Sequence, residues 1–377
     1  MSERWDLFCR VVDNFGDAGV AWRLARTLVH EHGIEVRLAI DDLTTLATIV
    51  RGVDPALAVQ RVEGVHVTRW TPSSPRYDGA QVVIELFQTR LDESYLHALA
   101  EATTRAQAER RVALVWINLE YLSAEPWVAT HHGLPSAHPR LSLTQWVFFP
   151  GFDAASGGLI RERGLVEARD AYQTKLAPHD GLDVSLFCYE TAPIEPLLAA
   201  WAGADERVRC RVPIGPVAKI VGRFFGASGA PAGTRFERDA LTVEVIAFTD
   251  QAGYDRLLWS SDLNFVRGED SFVRAQWAAR PLVWHIYPQA ERTHEMKLAA
   301  FLNRYQAGLP PAIAAADRDL THAWNYLPGA PSIGAAWSAW RRERAPLDAR
   351  ARGWAKNLAG SADLVTRLRK FVESKRK

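Results

Sequence analysis

LFCRVVDNFGDAG at residues 7–19 is the stretch of sequence that decides the fold. The apolar run 7–12 has the length and flanks of a buried strand, and residues 13–19 are predicted to form a turn. Residues 20–30 place apolar side chains on one helical face, Gly33 ends this helix, and residues 34–40 are a second strand. A strand, a helix and a strand at this spacing predict a parallel sheet with right-handed crossovers.

The same alternation continues along the chain. Further strands are predicted at residues 82–86, 112–117, 183–189, 207–212, 241–248, 263–266 and 282–286, and helices at 193–202, 252–258 and 272–279. Residues 226–233 are a flexible loop, and the Gly-rich region 151–181 is typical of a domain junction. An amphipathic helix with Ser361 as its N-cap ends the chain. The prediction is α/β: a domain of residues 1–155 plus helix 361–377, and a second domain of residues 156–360.

Composition excludes several classes of function. The 377 residues carry 45 Lys and Arg against 44 Asp and Glu, so the cationic excess that nucleic-acid binding requires is absent. No apolar run approaches the ~20 residues of a membrane span, and no secretory signal is visible at the start, so we expect a cytoplasmic protein. The three cysteines, Cys9, Cys188 and Cys210, are too widely spaced for a disulfide scaffold or a cysteine zinc site. The spacing of His131, His132 and His138 also matches no zinc motif, so we expect no metal.

The first turn, residues 13–19, has three interpretations. A dinucleotide fingerprint, with Asp41 or Asp42 as the ribose-binding acid, lacks its first glycine, because Asn14 stands there. Asp13 and Asp17 would also repel a pyrophosphate. Either carboxylate can instead cap the following helix. The third interpretation is that the two carboxylates bind or deprotonate an acceptor that is cationic or bears a hydroxyl.

The second turn, Arg267-Gly268-Glu269-Asp270-Ser271, has complementary chemistry. Arg267 can bind a diphosphate, and Ser271 with the first amides of the following helix can bind phosphate oxygens. The alternative is an Arg–acid ion pair with a helix cap. Together the two turns indicate group transfer, with the acceptor bound by the first domain and a nucleotide-linked donor bound by the second.

At this point a family resemblance is visible. Residues 11–25 (VVDNFGDAGVAWRLA), 118–127 (NLEYLSAEPW), 132–136, 148–152 and the turn 267–271 resemble the bacterial elongation factor P arginine rhamnosyltransferases, and the resemblance covers essentially the whole chain. It implies a GT-B glycosyltransferase fold, in which two Rossmann-like domains face a cleft and the C-terminal helix crosses back to the first domain. It also implies transfer of rhamnose from dTDP-β-L-rhamnose to one arginine of elongation factor P. That transfer proceeds with inversion and without a metal or cofactor, and it activates the factor for rescue of ribosomes stalled at polyproline.

The resemblance also implies a set of site residues. Asp13 and Asp17 are the acceptor-side carboxylates, flanked by Asn14, Phe15 and Gly16, and Glu269 lies close to the reacting centre. The residues implied to line the donor site are Phe187, Tyr189, Gln251, Arg267, Asp270, Ser271 and Tyr287. A guanidinium is a poor nucleophile while its charge is delocalised, so paired carboxylates can localise a lone pair and take the proton. We expect Asp13 to be the base and Asp17 to orient the acceptor, with Glu269 as the competing base.

Three rival functions remain at this stage. One is a nucleotide-sugar glycosyltransferase for a small-molecule or glycan acceptor; the paired acids at Asp13 and Asp17 favour a cationic acceptor over it. The second, a nicotinamide-dependent oxidoreductase, is disfavoured by the broken glycine fingerprint. The third is a non-catalytic protein that binds elongation factor P.

Overall fold

The computed structural model describes residues 3–13, 15–71, 74–289 and 292–376. The chain divides into two compact units, Met1–Arg163 with Gly360–Lys377, and Gly164–Ala359. None of the helices in the described ranges is both long enough and apolar enough to span a membrane.

An eight-stranded sheet organises the first unit. Its strands are β1 (Arg4–Cys9), β2 (Glu35–Ile40), β3 (Val59–Val62), β4 (Val65–Arg69), β5 (Val82–Leu86), β6 (Val115–Leu119), β7 (Pro135–Ala137) and β8 (Thr144–Phe148). They lie in the order β3-β4-β2-β1-β5-β6-β8-β7. The six inner strands pair in parallel, and their carboxyl ends therefore share one edge. The sequence predicted four of them, β1, β2, β5 and β6, whereas β4 and β8 were not predicted. The edge strands β3 and β7 are antiparallel additions, which the sequence did not predict because both are short and polar or exposed.

Five helices belong to this unit. They are α1 (Phe15–His32), α2 (Leu43–Ile49), α3 (Glu93–Ala108), α4 (Val128–His131) and α14 (Leu364–Lys375). The last of these packs against α1, which confirms that the C-terminal helix returns to the first unit. Ser361 is not its N-cap; the Asp363 carboxylate accepts the N–H groups of Val365 and Thr366 instead. An aspartate at this position satisfies two amide donors that the first helical turn leaves open.

The first strand and the first helix do not meet where the pattern predicted. Strand β1 ends at Cys9, and α1 begins at Phe15, so the turn is shorter than residues 13–19 and Asp17 lies inside the helix. The physical reason is that the backbone N–H groups of residues 10–13 bond to side chains rather than to a neighbouring strand.

A six-stranded sheet organises the second unit. Its strands are β9 (Leu182–Leu186), β10 (Val208–Pro213), β11 (Arg235–Arg238), β12 (Leu241–Ile246), β13 (Leu263–Arg267) and β14 (Leu282–His285), in the order β11-β12-β10-β9-β13-β14. The helices are α5 (Leu165–Gln173), α6 (Ile194–Ala202), α7 (Pro216–Phe224), α8 (Gln251–Trp259), α9 (Asp270–Ala278), α10 (Thr293–Tyr305), α11 (Pro311–Trp324), α12 (Ile333–Arg342) and α13 (Arg344–Ala359). Only β11 among these strands pairs antiparallel.

The main core cluster of the second unit contains half of the eight tryptophans there. Trp201, Trp324, Trp337 and Trp340 are buried in one cluster with the inner strands. Because β9 is central and ends at Leu186, three residues short of the prediction, Phe187 and Tyr189 follow it at the carboxyl edge. The three cysteines are buried and unpaired, which confirms the absence of a disulfide scaffold.

Candidate active site

The loop between β1 and α1 is held by side-chain oxygens from three directions. Thr89 accepts the N–H of Arg10 at 3.0 Å, and Asp41, just after β2, accepts the N–H of Val11 at 2.9 Å. Asp17 Oδ2 accepts the N–H groups of Val12 at 2.8 Å and of Asp13 at 2.9 Å. Every backbone donor from residue 10 to residue 13 is therefore satisfied, and the loop is fixed without strand pairing.

Asp17 is almost completely buried, with 1% of its surface exposed. Burial raises the pKa of Asp17, the N–H groups of Asp13 and Val12 and the Tyr121 hydroxyl oppose this rise, and the Asp41 carboxylate adds to it. The second oxygen, Oδ1, is buried and accepts no hydrogen bond of normal geometry from the described residues. Asp17 thus has one oxygen bound to the loop and one enclosed oxygen beside the Tyr121 hydroxyl.

The other acceptor-side residues surround this carboxylate. Asp13 is half-buried, and its carbonyl accepts the N–H of Gly16 at 2.8 Å, which closes the turn into α1. Phe15 is the first residue of the helix, and Asn14 lies outside the described residues. Asp13, Phe15, Gly16 and Asp17 are therefore brought together at the carboxyl end of β1.

The two acids considered for a ribose have structural partners instead. Asp41 holds the loop through Val11, as described above. Asp42 is the N-cap of α2 and accepts the N–H groups of Thr44 and Thr45. Neither position therefore supports a dinucleotide site at this turn.

Sequence reasoning missed a second polar group at the same edge of the sheet. Glu120 follows β6 and accepts the amide N–H groups of Asn118 at 2.7 Å and of Gln88 at 3.2 Å. Phe87 and Tyr121 stack beside it, with ring centroids 4.4 Å apart. The signals available in the sequence were that Glu120 follows an apolar strand and that it stands in the segment 118–127, which carries part of the family resemblance.

In the second unit, an arginine and three aromatic side chains form a cluster. The Arg267 guanidinium lies 4.8 Å from the ring centroid of Phe187 and 4.6 Å from that of Tyr189. Tyr287, which is 44% exposed, packs edge-on against Tyr189 with 5.5 Å between ring centroids. Phe187 is only half-buried, so it is not part of the core. Cationic and aromatic groups in this arrangement suit a nucleoside diphosphate.

Buried His285 contacts the Tyr189 backbone and ring and so holds one member of this cluster in place. Its Nδ1 accepts the backbone N–H of Tyr189 at 3.3 Å, and its ring packs edge-on against the Tyr189 ring. Burial, together with the nearby Arg267 and His294, lowers the pKa of His285 to about 4. At neutral pH the ring is therefore uncharged and can accept this hydrogen bond.

The turn from β13 into α9 has a fixed backbone. Gly268 has φ +61°, a conformation that favours glycine, and its carbonyl accepts the Trp284 indole N–H at 2.9 Å. The Ser271 hydroxyl accepts the N–H of Arg267 at 3.1 Å and donates to the Arg267 carbonyl. Because its proton is engaged there, Ser271 shapes the turn, and Arg267 and the first amides of α9 are the groups left with the chemistry to bind a phosphate.

Glu269, predicted near the reacting centre, and the predicted donor residues Asp270 and Gln251 lie at the starts of α9 and α8. Glu269 is the N-cap residue of α9 and Asp270 its first residue, both half-buried. Gln251 is the first residue of α8 and is buried. One turn further along α8, the ring of Tyr254 packs 5.8 Å from the Phe187 ring and its hydroxyl is enclosed. Tyr254 is a second residue that the sequence reasoning missed.

The histidines considered for a metal have other partners. His132 Nδ1 accepts the N–H of Phe149, and His138 Nδ1 accepts that of Leu141. Outside residues 1, 2, 14, 72, 73, 290, 291 and 377, no group of three or more His, Cys, Asp or Glu side chains is placed to hold a metal ion.

Comparisons with known proteins agree with this arrangement. The family model described as Elongation-Factor P (EF-P) rhamnosyltransferase EarP matches residues 5–373. Two curated relatives are named protein-arginine rhamnosyltransferase. The one from Pseudomonas putida is 43% identical over 99% of this chain and 100% of its own length, and the one from Pseudomonas aeruginosa is 42% identical over 97% and 98%.

Solved structures give the fold. One solved structure is described as "Structural basis for EarP-mediated arginine glycosylation of translation elongation factor EF-P". It is 33% identical to this chain with a TM-score of 0.67, and the match covers 98% of this chain and 99% of that one. A UDP-glucosyltransferase from Polygonum tinctorium, 9% identical with a TM-score of 0.51 over 99% and 98% of the two chains, shares the fold alone. The predicted GT-B architecture is confirmed, and the chain belongs to the EF-P rhamnosyltransferase family.

Proposed function

We propose that this chain is a cytoplasmic glycosyltransferase that moves rhamnose from dTDP-β-L-rhamnose to the side chain of one arginine of elongation factor P. The single observation that carries the proposal is full-length similarity to protein-arginine rhamnosyltransferases at 43% identity. The first unit binds the protein acceptor and the second binds the donor. No metal ion takes part, and the anomeric centre inverts.

The acceptor arginine is bound by the carboxylates at the carboxyl end of β1. The Asp17 carboxylate is held in place by the N–H groups of Val12 and Asp13, so it needs little reorganisation when the guanidinium arrives. Two carboxylates on one guanidinium localise its charge and leave one nitrogen able to attack.

The environment of Asp17 favours it as the general base, with Asp13 as the residue that orients the guanidinium; this is the reverse of the expectation from sequence. Burial raises the pKa of Asp17, and a more basic carboxylate removes a proton more effectively. Its Oδ2 is occupied by loop N–H groups, which leaves Oδ1 to accept the proton. Glu269 lies close to the reacting centre on the donor side.

The reaction is a single displacement. A guanidinium nitrogen attacks the anomeric carbon, the bond between that carbon and the diphosphate oxygen breaks, and the nitrogen's proton passes to the base. The negative charge that develops on dTDP is stabilised by Arg267 and by the first turn of α9, whose N–H groups lack acceptors within the helix. Phe187 and Tyr189 offer stacking surfaces for the thymine, and Gln251 offers it hydrogen bonds. Asp270 and Tyr287 complete the donor site, and Ser271 contributes by holding the turn that carries Arg267.

The test is the intact mass of unmodified elongation factor P after incubation with this protein and dTDP-rhamnose in the presence of a chelator. We expect a gain of one deoxyhexose, and no gain when the acceptor arginine is replaced by lysine. Transfer to the lysine variant would contradict a specific arginine acceptor. No transfer by a folded protein that still binds dTDP would refute elongation factor P as the acceptor, and a requirement for added metal would refute the metal-free mechanism.

A further inference from the structure

The turn after β5 contains a strained backbone that serves no purpose in the mechanism above. Phe87 and Gln88 are consecutive non-glycine residues with φ values of +58° and +59°. Such a conformation is costly for residues with side chains and persists only where the surroundings impose it.

Here the surroundings impose it through several contacts. The Phe87 N–H donates to the Leu119 carbonyl at 2.8 Å, and the Gln88 N–H donates to Asn118 Oδ1 at 3.3 Å. The Phe87 ring stacks on Tyr121 with an interplanar angle of 17°. The turn is therefore fixed to the end of β6, and its orientation is well defined.

This rigid turn presents one charged group. Glu120 is half-buried and accepts the Asn118 and Gln88 amides at 2.7 and 3.2 Å, while its own N–H donates to the Phe148 carbonyl at 2.9 Å. Neither amide carries a charge, and in the described part of the chain no Arg, Lys or His forms an ion pair with Glu120. A carboxylate that is oriented but not neutralised attracts a cation.

The group adjoins the acceptor site directly. Thr89, the next residue of the turn, holds the N–H of Arg10 in the loop that carries Asp13, and Tyr121 acts on the pKa of Asp17. The cation nearest to such a position during the reaction comes from the protein acceptor, whose reacting side chain is itself a guanidinium.

We propose that Glu120, oriented by Gln88 and Asn118, binds a guanidinium or ammonium group of the protein acceptor and contributes to the selection of that acceptor. This inference rests on the proposed function for the identity of the acceptor. Gln88 and Asn118 are positioning residues, because they act through Glu120.

The test measures binding and steady-state kinetics of Glu120→Gln, which removes the charge and keeps the shape. We expect the Kd and KM for elongation factor P to rise about tenfold, because one charge-assisted hydrogen bond is lost. The KM for dTDP-rhamnose should stay unchanged. Added salt should weaken acceptor binding less in the variant than in the wild type. Glu101→Gln, the same charge change at an exposed position of α3, is the matched control and should alter neither constant.

A second variant and a second acceptor complete the design. Gln88→Met removes one amide from an exposed position and should raise the KM for elongation factor P two- to fivefold without lowering Tm. Binding of an acceptor whose reacting arginine is replaced by methionine identifies the cation. If Glu120→Gln no longer weakens binding of this acceptor, the cation bound by Glu120 is the guanidinium of the reacting arginine. If it still weakens binding, the cation is another basic side chain of the acceptor.

Unchanged acceptor affinity in Glu120→Gln would overturn the inference. So would an equal weakening of donor and acceptor binding with a lowered Tm, since that is the signature of a merely structural carboxylate. If the wild type binds elongation factor P but transfers no sugar, the proposed function fails, while the binding comparison still tests Glu120.

Discussion

Replacing Asp17 by Asn should abolish activity while leaving stability almost unchanged. The carboxylate is buried, and its Oδ2 accepts two loop N–H groups at 2.8 and 2.9 Å. An asparagine carbonyl can accept the same two bonds, so the loop stays in place. The amide cannot take a proton, so the base is lost.

The stability side of this prediction follows from the direction of the pKa shift. Because the pKa of Asp17 is raised in the folded chain, chiefly by burial, the unfolded chain loses this proton first as pH rises. Ionisation above the usual pKa of 3.8 therefore lowers stability, and the uncharged Asn avoids this loss. At pH 7 we expect the free energy of unfolding of Asp17→Asn to lie within about 1 kcal/mol of the wild-type value or above it. A difference of this size corresponds to a Tm change of about 3 °C. The advantage should shrink as pH falls toward 4.

The activity side is much larger. A positioned general base contributes about 10²- to 10⁴-fold, or roughly 3–5 kcal/mol of barrier. The assay is the initial rate of deoxyhexose transfer by intact mass, beside thermal melting of the same samples at several pH values. A rate within tenfold of the wild type would refute Asp17 as the base. A Tm lowered by more than about 10 °C would refute the account of the loop.

A matched control lies in the same unit. Asp6 on β1 is as buried as Asp17, but it accepts Nε of Arg37 at 2.9 Å and the Tyr95 hydroxyl at 2.6 Å. Asp6→Asn removes the counter-charge of a buried arginine, so it should cost about 3 kcal/mol and lower Tm by roughly 10 °C. Transfer activity below the melting range should persist. Asp17→Asn should thus lower activity at almost unchanged stability, whereas Asp6→Asn should lower stability and leave the activity of the folded protein in place.

Three further predictions concern the second unit and the last helix. Arg267→Met should raise the KM for dTDP-rhamnose at least tenfold, since the guanidinium over Phe187 and Tyr189 is lost, with the KM for elongation factor P unchanged in the same kinetics. Burial lowers the pKa of His285 to about 4, so the stabilisation by its neutral ring is present above pH 6.5 and is lost as pH falls toward 4. The free energy of unfolding should fall by about 3 kcal/mol over this range. Denaturant titrations at several pH values should show this pH dependence in the wild type and not in His285→Gln. Asp363→Ala should cost about 1 kcal/mol by thermal melting, whereas Ser361→Ala should cost nothing measurable.

Apolar runs in the sequence predicted nine of the eleven parallel strands, all but β4 and β8, because buried strands tend to be apolar on both faces. They could not predict where β1 ends. Val11 and Val12 are apolar residues typical of a strand, but the N–H groups of residues 10–12 bond to Thr89, Asp41 and Asp17. Two of those partners lie far away in sequence, and local pattern carries no information about them.

The candidate site, like the sheets, could be predicted from the sequence only in part. Asp13 and Asp17 could be found because two acids flanking a glycine turn are unusual. The exchange of roles that we propose for them rests on burial, which differs between them only in the folded chain. Glu120 could not be found, because its character depends on an amide that is 32 residues earlier and on a strained turn.

The choice of aspartate at position 17 combines both kinds of constraint. The side chain must reach back four residues from the first turn of α1 to hold the Asp13 N–H, and the base role that we propose also requires a second oxygen for the acceptor. Asparagine meets the first requirement and not the second. Glutamate keeps the charge, but its extra methylene must be placed in a site where the present residue is 1% exposed, so the loop or the carboxylate has to move. Stability of the loop and chemistry at the acceptor therefore constrain the same two oxygens, and only aspartate satisfies both.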